Sequence, residues 1–320
     1  MRLISRSTLL WMCVVLSFAT PVVRAQTRVD PARAADAASQ AGIGQSLFSS
    51  ALSNSRGEDT LVPKSPGDSD LGDQVLLRRS EKSESFTAWI DSSLFWTDNA
   101  ANVGATKAED YFYVGGVNLS WQQRLAGRFY GDAYLGQHWY QYDADNRLNY
   151  DIGEVRLGML AALPELRDAI LSLHYGYQRI TDGIDNNALY EAHVIRLGLQ
   201  KTFLIDRVNS VNVGLLSSFA AGTSPDLLQR HEHALQLGYN LKFSPRTNLS
   251  LSYRLSYFDY FNFQGREDWY QNLGASLNFV PCRNFEVSLG YYFAVNSSSN
   301  AFFDYQTQLG GLSLAAKIRF

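Results

Sequence analysis

The stretch NFEVSLGYYFAVNSS (284–298) decides the fold. Phe285, Val287, Leu289, Tyr291, Phe293 and Val295 occupy every second position, with Glu286, Ser288, Gly290, Tyr292 and Ala294 between them. Only an extended strand sends alternate residues to opposite faces, so this segment has one apolar face and one largely polar face. The same period runs through Leu249, Leu251, Tyr253, Leu255 and Tyr257, which alternate with Ser250, Ser252, Arg254 and Ser256. It recurs where Leu235, Leu237, Tyr239, Leu241 and Phe243 alternate with Gln236, Gly238, Asn240 and Lys242.

Extending this pattern outward predicts twelve strands, roughly 86–97, 110–123, 128–140, 150–162, 169–180, 190–203, 208–220, 231–243, 247–259, 267–280, 284–296 and 303–320. Each has the ten or so residues a tilted strand needs to cross a bilayer. An even number returns both chain ends to one side. The expected fold is therefore all-β: an antiparallel transmembrane β-barrel over residues 84–320.

Loop lengths agree with this. Short turns at 125–127, 164–168, 204–207, 244–246 and 281–283 alternate with longer links at 98–109, 141–149, 181–189, 221–230, 260–266 and 297–302. Short periplasmic turns and longer outer loops are the outer-membrane pattern, and a soluble sandwich has no reason to sort loops this way. Trp121, Phe129, Phe203, Phe243, Phe279, Phe285 and Phe320 flank the short turns on the apolar parity and are expected to form an interfacial girdle. Trp96, Trp139, Tyr257, Trp269 and Phe293 suit the opposite interface. A mean hydropathy of −0.19 is compatible, because each lipid-facing residue in a barrel strand is followed by one facing the lumen.

The first 25 residues read as a signal sequence: Arg2 and Arg6 precede a short apolar core, and Val23-Arg24-Ala25 ends in a small residue before Gln26. Cys13 lies within the apolar core without small residues before it, which argues against lipidation. Residues 26–83 are rich in Ala, Ser, Asp, Gly and Pro, and are expected to form a linker-like periplasmic extension with a marginal helix over 34–52. Removing the signal takes Arg2, Arg6 and Arg24 and no acid. The 28 basic residues thus fall to 25 against 31 acidic ones, a net charge of −6, and no nucleic-acid partner is expected. Cys282 is then the sole thiol, so no internal disulfide forms.

The lumen face should fall on even numbers in most strands from the third onward. Tyr130, Asp132, Tyr134, Glu154, Arg156, Arg196, Arg254 and Glu286 are the candidate lumen and selectivity residues, with His138, His174, Gln178, Gln236, Asn240 and Asn272 on the same face. An arginine facing lipid near the midplane costs about 2–4 kcal/mol, which turns Arg156, Arg196 and Arg254 inward. Two readings follow: a basic strip guiding anions or sugar acids, or arginines paired with Asp132, Glu154 and Glu286 in a mostly filled lumen. Tyr130 and Tyr134 suit sugar stacking or space filling. His231 and His233 share a face at a strand mouth, yet two ligands make a poor metal site. Neither His138 nor His174 is followed by a serine two residues on. No catalytic residues, cofactor or metal are expected, and the chain is read as a non-enzyme.

The closing strand has Leu312, Leu314, Ala316 and Ile318 on alternate positions and Phe320 at the end. This resembles the C-terminal signal of Gram-negative outer-membrane β-barrel proteins, which implies recognition by the barrel-assembly machinery. The stretch LGDQVLLRRSEK (71–82), followed by FWTDNA (95–100), looks like the opening of some porin-like barrels. The barrel domain of surface lipoprotein assembly modifiers is similar in its aromatic-then-Asp-Asn first loop. Two functions from different classes are expected. One is a porin-like channel for small polar solutes or oligosaccharides. The other is a structural or assembly barrel supporting export or anchoring of a surface polymer or protein, with a periplasmic partner bound through 26–83. In both, the chain sits among outer-membrane lipid with the extension and C-terminus in the periplasm.

Overall fold

The computed structural model describes residues 85–104 and 107–320, so the signal sequence and the 26–83 extension, with its expected helix, lie outside the described residues. Twelve strands form: β1 (Phe86–Thr97), β2 (Asp110–Ala126), β3 (Phe129–Tyr142), β4 (Tyr150–Leu163), β5 (Ala169–Asp182), β6 (Ala188–Leu204), β7 (Asn209–Ser224), β8 (His231–Ser244), β9 (Thr247–Tyr260), β10 (Arg266–Cys282), β11 (Phe285–Ser298) and β12 (Tyr305–Arg319). Every strand pairs antiparallel with its chain neighbours, and β1 pairs with β12, so the sheet is a closed barrel without edges. All twelve expected strands are present. The last starts at Tyr305 instead of 303, because the Asn300 side chain accepts from Phe302 N and winds 301–303 into a 3-10 turn.

The closure runs from Thr87 opposite Arg319 to Thr97 opposite Leu309. Beyond it, Phe86 and Phe320 exchange two backbone hydrogen bonds of 3.0 Å and stack their rings at 5.6 Å. The residue expected to carry the assembly signal thus also fastens the seam. We call this the turn end, since the five short connections and both ends of the barrel segment lie there. The opposite end carries the longer links and is the loop end.

Large aliphatic residues face outward all around the cylinder. Ile90 on β1, Leu157 on β4, Leu215 on β7 and Leu273 on β10 are exposed by 59, 53, 56 and 57%. Each such side chain in water forgoes about 1.5–3 kcal/mol relative to burial, so a band of them fits lipid and not solvent. Of the expected girdle, Phe129, Phe203, Phe243, Phe279, Phe285 and Phe320 are exposed near the turn end, and Trp121 is half-buried.

The hydrophobic core lies inside the barrel, in its loop-end half. Phe95, Phe112, Tyr140, Tyr142, Tyr150, Ile152, Ile180 and Tyr190 point inward and are buried together. Phe258, Tyr260, Tyr270 and Tyr305 form a second buried group, and Phe263 packs against both. The turn over 226–228 supplies Leu228, wholly buried among them. Cross-strand neighbours stack along the wall at this level, as Tyr140 of β3 does on Tyr150 of β4 at 4.4 Å.

Candidate functional site in the barrel lumen

Nearer the turn end, the inward side chains along β3 to β9 become polar and partly exposed. All eight predicted lumen residues (Tyr130, Asp132, Tyr134, Glu154, Arg156, Arg196, Arg254 and Glu286) take the inward parity of their strands. The first seven are partly exposed, whereas Glu286 is buried against the β12 wall.

Three hydrogen-bonded groups lie side by side from β1 to β6. Asn118 donates to Asp91 at 2.7 Å, and the Tyr134 hydroxyl donates to Asn118 at 2.6 Å. His138 Nε2 lies 3.7 Å from Asp91. That approach needs glycine at position 116, where a Cβ would meet the His138 ring at 2.5 Å and the Asp91 carboxylate at 2.6 Å. On β3 and β5, His174 Nε2 sits 2.9 Å from Asp132. Arg196 donates to Glu154 at 2.8 Å. Arg156 lies over the Tyr134 ring at 5.0 Å and only 3.8 Å from Asp132, without a hydrogen bond to it. Its Nε is buried without a partner, so it is the least neutralised arginine of the lumen.

The pairing reading holds for the lumen charges, with one partner corrected. Arg156 and Arg196 face Asp132 and Glu154 as expected. Arg254 does not pair with Glu286: it binds Glu232 on β8, and Ser256 donates to the same carboxylate at 3.0 Å. Glu286 instead faces Lys317 of β12 at 3.5 Å. Glu232 was hidden in the His231-Glu232-His233 run. Strand parity sends the glutamate inward and both histidines outward, where they pack around Phe219. Groups of three or more metal-ligating side chains are absent among the described residues.

Sequence reasoning missed the structure that closes this site from the loop end. Arg266 is buried with Asp268, its Nε donating at 2.8 Å. The same guanidinium lies 3.6 Å from the Phe303 ring centroid and 4.3 Å from that of Tyr260. Phe263 and Phe303 meet edge to face at 5.5 Å. A cation held by two carboxylate oxygens and two rings fastens the segments around 261–265 and 301–303 over the lumen. The available signal was aromatic doublets at loop-end strand halves: Trp139-Tyr140, Tyr257-Phe258 and Trp269-Tyr270. Alternation puts one ring of each doublet in lipid and the other in the lumen.

No family model and no curated protein matches this chain. Among solved structures it is similar to an outer membrane channel from Pseudomonas putida, at 11% identity and a TM-score of 0.55, over 78% of this chain and 100% of that one. It is more distantly similar to the outer membrane channel DcaP of Acinetobacter baumannii (9% identity, TM-score 0.40, 73% and 96% covered). A third is the translocator domain of the autotransporter NalP from Neisseria meningitidis (11% identity, TM-score 0.41, 74% and 90% covered). At these identities a likeness speaks for the fold alone, and only the first score is high enough to do so.

Proposed function

We propose that this chain is a porin-like outer-membrane channel for small polar solutes, held closed at the loop end by the aromatic plug. The observation that carries the reading is the partly exposed band of Asp132, Glu154, Arg156, Arg196 and Arg254 inside a closed, outwardly apolar barrel. Charges of both signs along one wall favour a polar, hydrated solute over an apolar one, and Tyr130 and Tyr134 offer ring faces to a sugar. Short turns together with both ends of the barrel segment favour a periplasmic turn end and an external loop end. The reading is non-catalytic: beside the His174–Asp132 pair, the Ser172 hydroxyl donates to the Gly198 carbonyl at 3.4 Å.

Planar-bilayer recording tests it. The protein is expected to give small, brief conductance steps, and Leu228→Gly or Phe263→Ala to lengthen them by loosening the plug. No steps from any of these proteins, each with the heat-modifiable gel mobility of a folded barrel, would contradict a channel. The packed loop end favours a second reading, the non-conducting assembly barrel docked through 26–83. That reading predicts loss of an exported surface component when 26–83 is deleted, with the barrel intact.

A further inference from the structure

The two ends of the barrel carry opposite charge. Each of the five short turns holds one arginine: Arg128, Arg167, Arg207, Arg246 and Arg283, all exposed. The loop end instead presents Asp98, Asp143, Asp145, Asp185, Asp226 and Asp304, of which Asp98 pairs with Lys107 and Asp145 with Arg147. A guanidinium in every turn is therefore a property of that end, not of the surface at large.

Among the described residues the short turns expose three carboxylates, Glu165, Asp168 and Asp206, against these five arginines. Glu165 pairs with Arg128 at 2.9 Å, but both are well exposed. Asp206 is occupied by its own turn, accepting from Val208 N at 2.8 Å and Asn209 N at 2.7 Å. The cations also adjoin the phenylalanine girdle: Arg128 lies 5.8 Å from the Phe129 ring and Lys201 4.9 Å from the Phe203 ring. Not every cation of this end belongs to the collar: Lys317 and Arg319 take the inward parity of β12, towards Glu286 and away from lipid.

Phenylalanines mark the boundary between acyl chains and headgroups, and the turn arginines lie next to it on the aqueous side. Planar guanidinium groups bind phosphate through two parallel hydrogen bonds. A ring following the whole circumference suits a surface that surrounds the barrel better than a partner touching one point. We propose that the arginine collar binds the phosphates of anionic phospholipids in the leaflet on the turn side. Naming that leaflet periplasmic rests on the orientation proposed above; the lipid preference does not depend on conduction.

The test is thermal unfolding of the full chain in neutral detergent, titrated with phosphatidylglycerol or phosphatidylcholine. A ligand that binds only the folded state raises the midpoint. Phosphatidylglycerol is expected to raise it and phosphatidylcholine to leave it unchanged. Each turn arginine removed is expected to weaken phosphatidylglycerol binding roughly five-fold, read first with Arg246→Ala together with Arg283→Ala. If that pair does not fold, Arg167→Ala with Arg207→Ala gives the same reading. Equal shifts from the two lipids, or variants as responsive as the parent, would overturn the proposal. So would inorganic phosphate reproducing the whole shift, since the site would then take a free oxyanion. The channel reading fails separately, by absence of conductance in a protein that still prefers phosphatidylglycerol.

Discussion

The two halves of the lumen use the same inward parity for opposite purposes. In the loop-end half, Tyr150, Tyr260, Phe258 and Leu228 are buried by 99% or more, and the one ion pair among them, Arg266–Asp268, is equally dry. Further down the lumen, near mid-height, Glu154 and Arg196 form an equally short pair with side chains 17 and 25% exposed. The barrel wall is continuous between them. The difference shows that strand pairing fixes the cylinder, while the residues pointing inward decide whether a given level is packed core or a more open, polar lumen.

The largest test of that contrast is removal of one partner from each pair. Asp268→Ala leaves a buried guanidinium uncompensated and should cost about 3–5 kcal/mol. Urea unfolding of the barrel in detergent measures it, and a loss below about 1 kcal/mol would mean that the loop-end half is hydrated. Leu228→Ala should follow, at about 2–5 kcal/mol, because a side chain anchored in a packed lumen leaves a cavity. The milder change at mid-height, Glu154→Gln, is expected to cost less, about 1.5–3 kcal/mol, because the pair is partly solvated and the amide oxygen still accepts from Arg196. Equal losses for Asp268→Ala and Glu154→Gln would erase the distinction between the halves.

The smallest effect lies outside the lumen, in the 205–208 turn. Hydrogen bonds from the Asn209 side chain, and then from the Val208 and Asn209 backbone, hold the Asp206 carboxyl below its ordinary value. A depressed acid contributes stability that is present above the unfolded value of about 3.9 and lost as pH falls through the lower folded value. Protection of the Val208 and Asn209 amides from exchange should therefore weaken only below about pH 4. In Asp206→Asn the same protection should not change with pH over that range.

Much of the cylinder was legible in sequence because lipid imposes one rule on every strand. The alternation of Phe285 to Val295 fixes which face is outward, and the short turns fix the neighbours. The plug was less legible because Tyr140, Tyr150, Tyr260 and Tyr270 occupy the same even positions as Asp132, Glu154 and Arg254. Parity assigns all of them to the lumen and says nothing of how far along it they sit or what reaches across. Arg254 illustrates the limit. It stands opposite Gln236 on β8, yet its guanidinium runs along the wall past Ser256 to Glu232. A side chain that long can choose among several partners, and only the assembled register decides. Leu228 and Phe263 come from links whose inward fold has no periodic signature at all.

The central claim, a tightly packed loop-end half and a more open, polar lumen towards the turn end, is tested most directly by thiol accessibility. In a Cys282→Ser background, single cysteines are placed at Ser172 and Gln236 in the more open part and at Ile152 and Ile180 in the packed half. A water-soluble maleimide is then added to the folded barrel. The account predicts that Ser172→Cys and Gln236→Cys react readily, and that Ile152→Cys and Ile180→Cys react at least roughly a hundred-fold more slowly, through local opening alone. Similar rates at all four positions would contradict it.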